Sequence, residues 1–388
     1  MRDAPDSLPA PTTDRAFLDD ALDAADAVGF VAVGDRFDDD LRYLTRFDGP
    51  DRDYAFVRAD GESVLCAPGL FEEQATREFD GTVRMDGVGD PAGVRAAEAL
   101  AAFGVDAGLV LVPQSIPHDA AVHLERAGYD LRSTTAVADA RLVKTDAELD
   151  CLRRVQRAAV RGMRRAETIL AESRVEGDEL VWEGGPLSTE RLRRQVNAEF
   201  AVYGVRDAGN TVVGAGPTCA DLHYTGTDVL HPGETVLLDL SPRGPHGYYG
   251  DLSRTYVVDS DGGWERRAYV AVEAALDAAL DEIAPGADAA DVHREAAAEL
   301  AAYGFDPNAD EGEAGFTHGT GHGVGVSLHE GPSLRDPVEL EPGMVFTVEP
   351  GVYDPERGGV RLEELVAVTD DGHEVLHEYP RSFAPRTE

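Results

Sequence analysis

Residues 316–330, FTHGTGHGVGVSLHE, set three imidazoles, His318, His322 and His329, among four glycines. Gly319, Gly321, Gly323 and Gly325 carry no Cβ, so a ligand or another backbone can come close. An extended run would turn His318 and His322 to one face. Imidazoles placed this way suit a metal or a catalytic site, and carboxylates elsewhere strengthen that reading. Asp239 stands near the end of the apolar run TVLLDL and Asp251 opens DLSRTYVV, with the turn-rich SPRGPHGYYG between them. Folded as a hairpin about Pro245, the two aspartates would face each other. MVFTVEP and GVRLEELV repeat the pattern, with Glu349 and Glu363 equidistant from Glu356.

Like charges placed across a strand pair repel. Two such pairs at the inner ends of apolar runs need a compensating charge, which a divalent ion supplies. Asp239, Asp251, Glu349, Glu363 and His322 make an oxygen-rich set with one nitrogen. That set suits manganese, cobalt or iron, is compatible with zinc, and does not suit a thiolate-selected metal. Two shared carboxylates would hold two ions about 3.5–4 Å apart, the arrangement that activates a water for hydrolysis.

Each feature alone is ordinary. Carboxylates on strands of an acidic chain are commonly solvated, and a single histidine is more often a hydrogen-bonded core residue than a ligand. His118, His123, His231, His246, His293, His373 and His377 are read in that ordinary way. The chemistry rests on the joint pattern of doubled acid pairs and a glycine-flanked histidine cluster.

The elements that must position these groups follow from periodicity and punctuation. Residues 13–28 have helical spacing, and 30–33 form a strand. Residues 42–47 (RYLTRF), 54–57 and 63–66 read as short strands, 94–102 as helix, 109–112 as strand and 118–127 as helix. Thr145-Asp146-Ala147-Glu148 is a capping box that starts a helix running to about residue 171. Residues 176–186 read as a loop, and 189–202, 264–283 and 289–303 as helices, with Pro285-Gly286 dividing the last two. No internal repeat is evident. These elements divide the chain into a smaller α/β domain over residues 1–142 and an α+β domain over 143–388.

Composition bounds the surroundings. The 388 residues carry 74 Asp+Glu against 35 Lys+Arg, a formal net charge of −39, and Lys144 is the only lysine. Such a surface disfavours nucleic acid and anionic membranes as partners. Acids interleaved with apolar residues argue for a folded chain rather than a disordered one, and the balance fits a protein of a halophilic archaeon, kept hydrated in concentrated salt. No apolar run is long enough for a membrane helix. The start, MRDAPDSLPAPTTD, lacks the basic and apolar segments of a signal peptide, so a cytoplasmic location is expected. Cys66, Cys151 and Cys219 are scattered and read as buried thiols.

At these residues the chain resembles the pita-bread metallopeptidases, which include methionine aminopeptidase, Xaa-Pro aminopeptidase, prolidase and creatinase. RYLTRF resembles their creatinase/prolidase-type N-terminal domain, and VKTDAELDCLRR the start of their catalytic domain. The ordered set Asp239, Asp251, His322, Glu349, Glu363 is complete, and LHYTG at His223 with HGTGHGVGVSLHE resembles the Xaa-Pro branch. The resemblance implies a pseudo-symmetric α+β catalytic domain with a curved antiparallel sheet covered by helices. It implies two divalent ions, manganese first among them, short peptide substrates and a homodimer.

By the same resemblance Asp239 serves one ion, His322 and Glu349 the other, and Asp251 and Glu363 both. His223, His318 and His329 would contact substrate. His223, His329, Glu349 and Arg361 form the expected catalytic group, with Glu349 carrying a proton to the leaving amine. The sequence departs from the family in four places. Asp239 and Asp251 are twelve apart, one more than usual; Ser241 and Gly321 replace a common glycine and serine; and residues 176–188 look inserted. Aminopeptidase and dipeptidase both remain open, as do a metal-free creatinase-like amidinohydrolase and a non-catalytic peptide binder.

Overall fold

The structure is a computed structural model that describes residues 9–387. The first eight residues, and with them most of the stretch read for a signal peptide, lie outside the described residues. The chain forms two compact units, Met1–Arg141 and Leu142–Glu388.

The first unit is built on one mixed six-stranded sheet. Its order is Thr82–Arg84, Glu62–Cys66, Tyr54–Ala59, Gly29–Gly34, Gly108–Pro113, Tyr129–Thr134. The central strand Gly29–Gly34 is buried along its whole length, as a strand covered on both faces must be. Val31, Val33, Val57, Val110 and Val112 pack there with Ala96, Leu100 and Leu124 of the helices Ala92–Ala102 and His118–Arg126.

RYLTRF is not the expected strand: Asp39–Thr45 is a helix. Asp38 caps it by accepting the Leu41 N–H, and Asp39 and Asp40 lie in the first turn, where the positive end of the helix dipole favours them. Arg46, with φ 57, ends it. Leu41 and Leu44, three apart, are both fully buried, which helical spacing explains and strand alternation does not.

The second unit repeats a plan. Helices Asp146–Glu172 and Thr189–Val202 precede an antiparallel sheet of Thr211–Ala215, Thr235–Leu240 and Leu252–Val257. Helices Trp264–Asp281 and Ala289–Ala302 precede a five-stranded sheet ordered Glu330–Ser333, His322–Gly323, Val345–Val348, Glu364–Thr369, Gly372–Val375. Each half has its own core. Met163, Ile169, Phe200 and Leu238 centre the first, and Leu276, Val292, Phe346 and Val366 the second. Thr145 forms the expected capping box with Glu148. The expected loop at 176–186 is instead a small three-stranded sheet, Arg174–Glu176, Glu179–Trp182 and Gly185–Pro186. Leu180 and Trp182 alternate into the first core and hold it there.

Candidate active site

The aspartate hairpin is not centred where the sequence suggested. Asp239 pairs with Ser253 and Leu240 with Leu252, so the midpoint is His246 rather than Pro245. Asp251 therefore follows opposite Ser241, diagonal to Asp239. Because the offset is two residues, both aspartates stay on one face. The glutamate ribbon keeps the expected register. Val348 pairs with Glu364 and Gly351 with Arg361, which sets Glu349 opposite Glu363.

Together these strands place Asp239, Asp251 and Glu363 so that one carboxylate oxygen of each lies within 4.8 Å of the others. His322 closes the group, with Nε2 3.5 Å from Glu349 Oε1 and 3.9 Å from Asp251 Oδ2. All five line a pocket of about 360 Å³ together with His223, His318, His329 and Arg361. The candidate residues named from the sequence are thus brought to one place. His223 and His329 are exposed at the pocket, and the rings of His329 and His322 are 4.2 Å apart between centroids.

Buried acids that repel one another resist ionisation. Burial first, then the charges of Asp239 and Glu349, push the Asp251 carboxyl well above the usual range. Burial and then Asp251 do the same to Glu363. Glu349 is pushed up to about 7 by burial, which Arg361 opposes and Asp239 reinforces. Burial lowers His322, and His329 is lowered by burial and then by His322. The imidazole nitrogens are thereby kept neutral and able to coordinate. One oxygen of Asp239, Oδ1, is buried with no hydrogen-bond partner. Clustered acids, a neutral imidazole and an orphaned oxygen fit hard or borderline divalent ions.

The groups behind the clustered carboxylates were less visible in the sequence. Ser241 donates to Asp251 Oδ1 at 3.0 Å, and Ser253 to Glu363 Oε2 at 2.9 Å. Gln156, on the helix, both donates to the Asp251 carbonyl and accepts its N–H. Arg361 spreads three donors over Ser253 Oγ, Tyr353 Oη and Asp239 Oδ2. Arg254, fully buried, ties its strand to Glu363 O, Glu364 Oε1 and Tyr379 O. His293 was read as an ordinary core histidine. Its Nδ1 meets Thr320 Oγ1 at 2.7 Å, and the Thr320 carbonyl accepts the Glu349 N–H.

His318 differs from a free substrate contact. Its Nδ1 meets the Gly319 carbonyl at 2.7 Å, and a carbonyl only accepts, so Nδ1 carries the proton. Its Nε2 then accepts from Tyr353 Oη at 2.7 Å. Both nitrogens are engaged within the protein, and burial lowers its pKa to about 3. The glycines, too, serve the chain itself. A Cβ on Gly321 would lie 1.8 Å from Thr347 O, and one on Gly323 1.8 Å from Gly331 O.

Residues 150–370 match the model of metallopeptidase family M24. The chain is 31% identical over 254 residues to the probable dipeptidase PepE of Mycobacterium tuberculosis, covering 65% of this chain and 62% of that protein. It is 29% identical over 250 residues to the Xaa-Pro dipeptidase of Pyrococcus furiosus, covering 64% and 66%. The chain thus spans less than two thirds of the length of these curated relatives. The crystal structure of the prolidase from Pyrococcus horikoshii OT3 superposes with a TM-score of 0.81 at 21% identity, over 95% of this chain and 99% of that one. That likeness gives the fold, the pita-bread α+β architecture with its N-terminal domain. Since the family match takes in more than half of the sequence and carries the whole carboxylate and histidine cluster, the chain belongs to metallopeptidase family M24.

Proposed function

We propose that this protein is a peptidase that uses two divalent metal ions to hydrolyse Xaa-Pro bonds at the N-terminus of short peptides, as a prolidase or an Xaa-Pro aminopeptidase. The observation that carries the reading is the convergence of Asp239, Asp251 and Glu363 within 4.8 Å, with a buried Asp239 oxygen left unpartnered. Asp239, Asp251, His322, Glu349 and Glu363 would hold the ions, and the oxygen-rich set favours manganese over a thiolate-selected metal. When bound, the ions supply a polarised carbonyl and a water of lowered pKa.

The chain's own groups would do the rest. Glu349 would take a proton at its carboxylate and return it to the leaving nitrogen. His329 and His223, exposed at the pocket, would orient the scissile carbonyl and the flanking amide. Arg361 would hold Asp239 and Tyr353, and Tyr353 would fix His318 as part of the pocket wall.

The relatives named dipeptidases motivate testing dipeptides first. The remaining parts of the reading are a homodimer, a cytoplasmic location and a halophilic source, the last motivated by the −39 charge. The test is metal analysis of purified protein together with a hydrolysis screen over Xaa-Pro dipeptides and tripeptides at several salt concentrations, with mass measured by light scattering. Two ions per chain and cleavage of a proline peptide are expected. A metal-free protein that cleaves none of them would overturn the reading.

A further inference from the structure

Thirty-four of the thirty-five Lys+Arg positions are arginine, and the one lysine is buried. Lys144 Nζ donates to Glu330 Oε1 at 2.6 Å, with the two side chains 2% and 8% exposed. They are 186 residues apart in sequence. Glu330 directly follows His329, and the two neighbours face opposite ways: His329 lines the pocket while Glu330 points to Lys144.

The turn that carries His329 is wrapped around the Glu330 carboxylate. Ser327 N–H points to Oε2 at 3.4 Å, and Gly325 N–H donates to Ser327 O at 3.0 Å. A Cβ on Gly325 would lie 2.1 Å from Oε1, so glycine there makes room for the acid. Lys144 is itself fixed. Its N–H donates to Gly343 O, Val143 pairs with Met344, and Thr145 starts the capped helix immediately after it. The strand that continues from Met344 leads to Glu349.

We propose that Lys144 is a positioning residue: through the buried Glu330 it fixes the turn 325–330, and so sets where His329 meets the substrate. Without Lys144 the desolvated carboxylate would lose a charge-assisted partner and shift toward water, which would loosen the turn. An ammonium fits where a guanidinium does not, because its charge is compact and its three donors rotate. That accounts for the single lysine in a chain that otherwise uses arginine.

The role of Lys144 in turnover rests on the peptidase reading, so the test has one arm without turnover. In the metal-loaded protein, Lys144→Met should speed hydrogen exchange at the amides of residues 325–329, including the Ser327 amide, and leave residues 345–349 unchanged. With an Xaa-Pro substrate, it should lower kcat about tenfold or more while two ions per chain are retained. In a His329→Ala background the same change should cost less than twofold, because the lysine acts through that histidine. Should Lys144→Met fail to fold, Lys144→Arg, which keeps a cation but replaces the compact ammonium by a guanidinium, carries the same measurements.

Unchanged exchange at 325–329 would overturn the proposal. So would effects of Lys144→Met and His329→Ala that simply multiply, since a general loss of stability would act that way. If exchange rises there while the wild-type protein cleaves no proline peptide, the clasp stands and the assigned substrate falls.

Discussion

Arg361 donates to Asp239 Oδ2 at 2.6 Å and leaves Asp239 Oδ1 buried without a partner. One oxygen of the aspartate is thereby anchored to the protein, and the other is left for a ligand that is not a hydrogen-bond donor of this chain. Asp251 and Glu363 are arranged alike, each tied at one oxygen by a serine. The site is therefore oriented before any ion arrives, which limits the reorganisation that binding requires.

The first prediction concerns metal removal. Purified protein should carry about two divalent ions per chain. Asp251→Asn and Glu363→Gln should each lose an ion and nearly all activity, measured by elemental analysis alongside peptide hydrolysis. Full activity after exhaustive chelation would refute the assignment.

The second follows from the raised carboxyls. In the metal-free chain Glu349 keeps its proton up to about 7, above the value it would have unfolded. A carboxyl raised by folding contributes stability that is complete below its unfolded pKa and is lost as pH rises through the folded one. Metal-free protein should thus melt at progressively lower temperature between about pH 5 and 8. Added manganese should restore the melting temperature most at the upper end, where no proton competes. Titration calorimetry should show protons released on binding and affinity rising from pH 6 to 8. A flat affinity over that range would contradict the pKa shifts.

The third separates glycines by what surrounds them. Gly321→Ala would drive a Cβ to 1.8 Å from a backbone oxygen, whereas one on Gly319 would meet Arg335 Nε at 3.4 Å. Gly321→Ala should destabilise by about 1–3 kcal/mol or more, and Gly319→Ala by much less, in denaturant titration. Equal effects would mean that the close approach at Gly321 relaxes.

The residues show why some of this was legible in the sequence and some was not. The long helices could be read because their apolar period agrees with the capping box at Thr145 and with the stops at Pro285-Gly286 and Gly304. The glutamate register could be read because GVYDPERG closes symmetrically between its arms. The aspartate register could not be read from spacing, because it depends on the turn. Gly244, Pro245, His246 and Gly247 form it, with Gly247 N–H donating to Gly244 O and Gly247 at φ 92, and this moves the midpoint one residue on. RYLTRF misled because alternation over six residues is a weaker signal than an aspartate cap followed by two acids. Ser241, Ser253 and Gln156 carry no local signature: their roles depend on strands and a helix brought together from distant sequence.

The fourth prediction concerns salt. With a net charge of −39, self-repulsion is strong when screening is weak. Melting temperature should climb from dilute buffer to molar KCl. The buried Lys144–Glu330 pair should be little affected, since ions screen exposed charges and not desolvated ones. A flat or falling melting curve would count against adaptation to high salt.

The last prediction separates the candidate substrates. Proline's imide nitrogen carries no N–H, so a site for Xaa-Pro cannot use that donor and must recognise the ring and the carbonyl. His223 and His329 stand exposed at the pocket, while the nitrogens of His318 are already engaged. On the proposed reading, His223 and His329 would supply polar recognition. His329→Ala should cut turnover of Ala-Pro by about 10²–10⁴ while retaining the ions, because it would remove the group proposed to act on the reacting carbonyl. His318→Ala should act differently: with Tyr353 released, Arg361 loses a partner and metal affinity falls together with turnover. Comparing Ala-Pro and Ala-Pro-Ala with Ala-Ala and Met-Ala-Ala then assigns the specificity. Cleavage of Ala-Pro alone marks a prolidase, and cleavage of Ala-Pro-Ala an aminopeptidase. Faster cleavage of Met-Ala-Ala than of either proline peptide would displace the proline assignment and leave the two-metal chemistry standing.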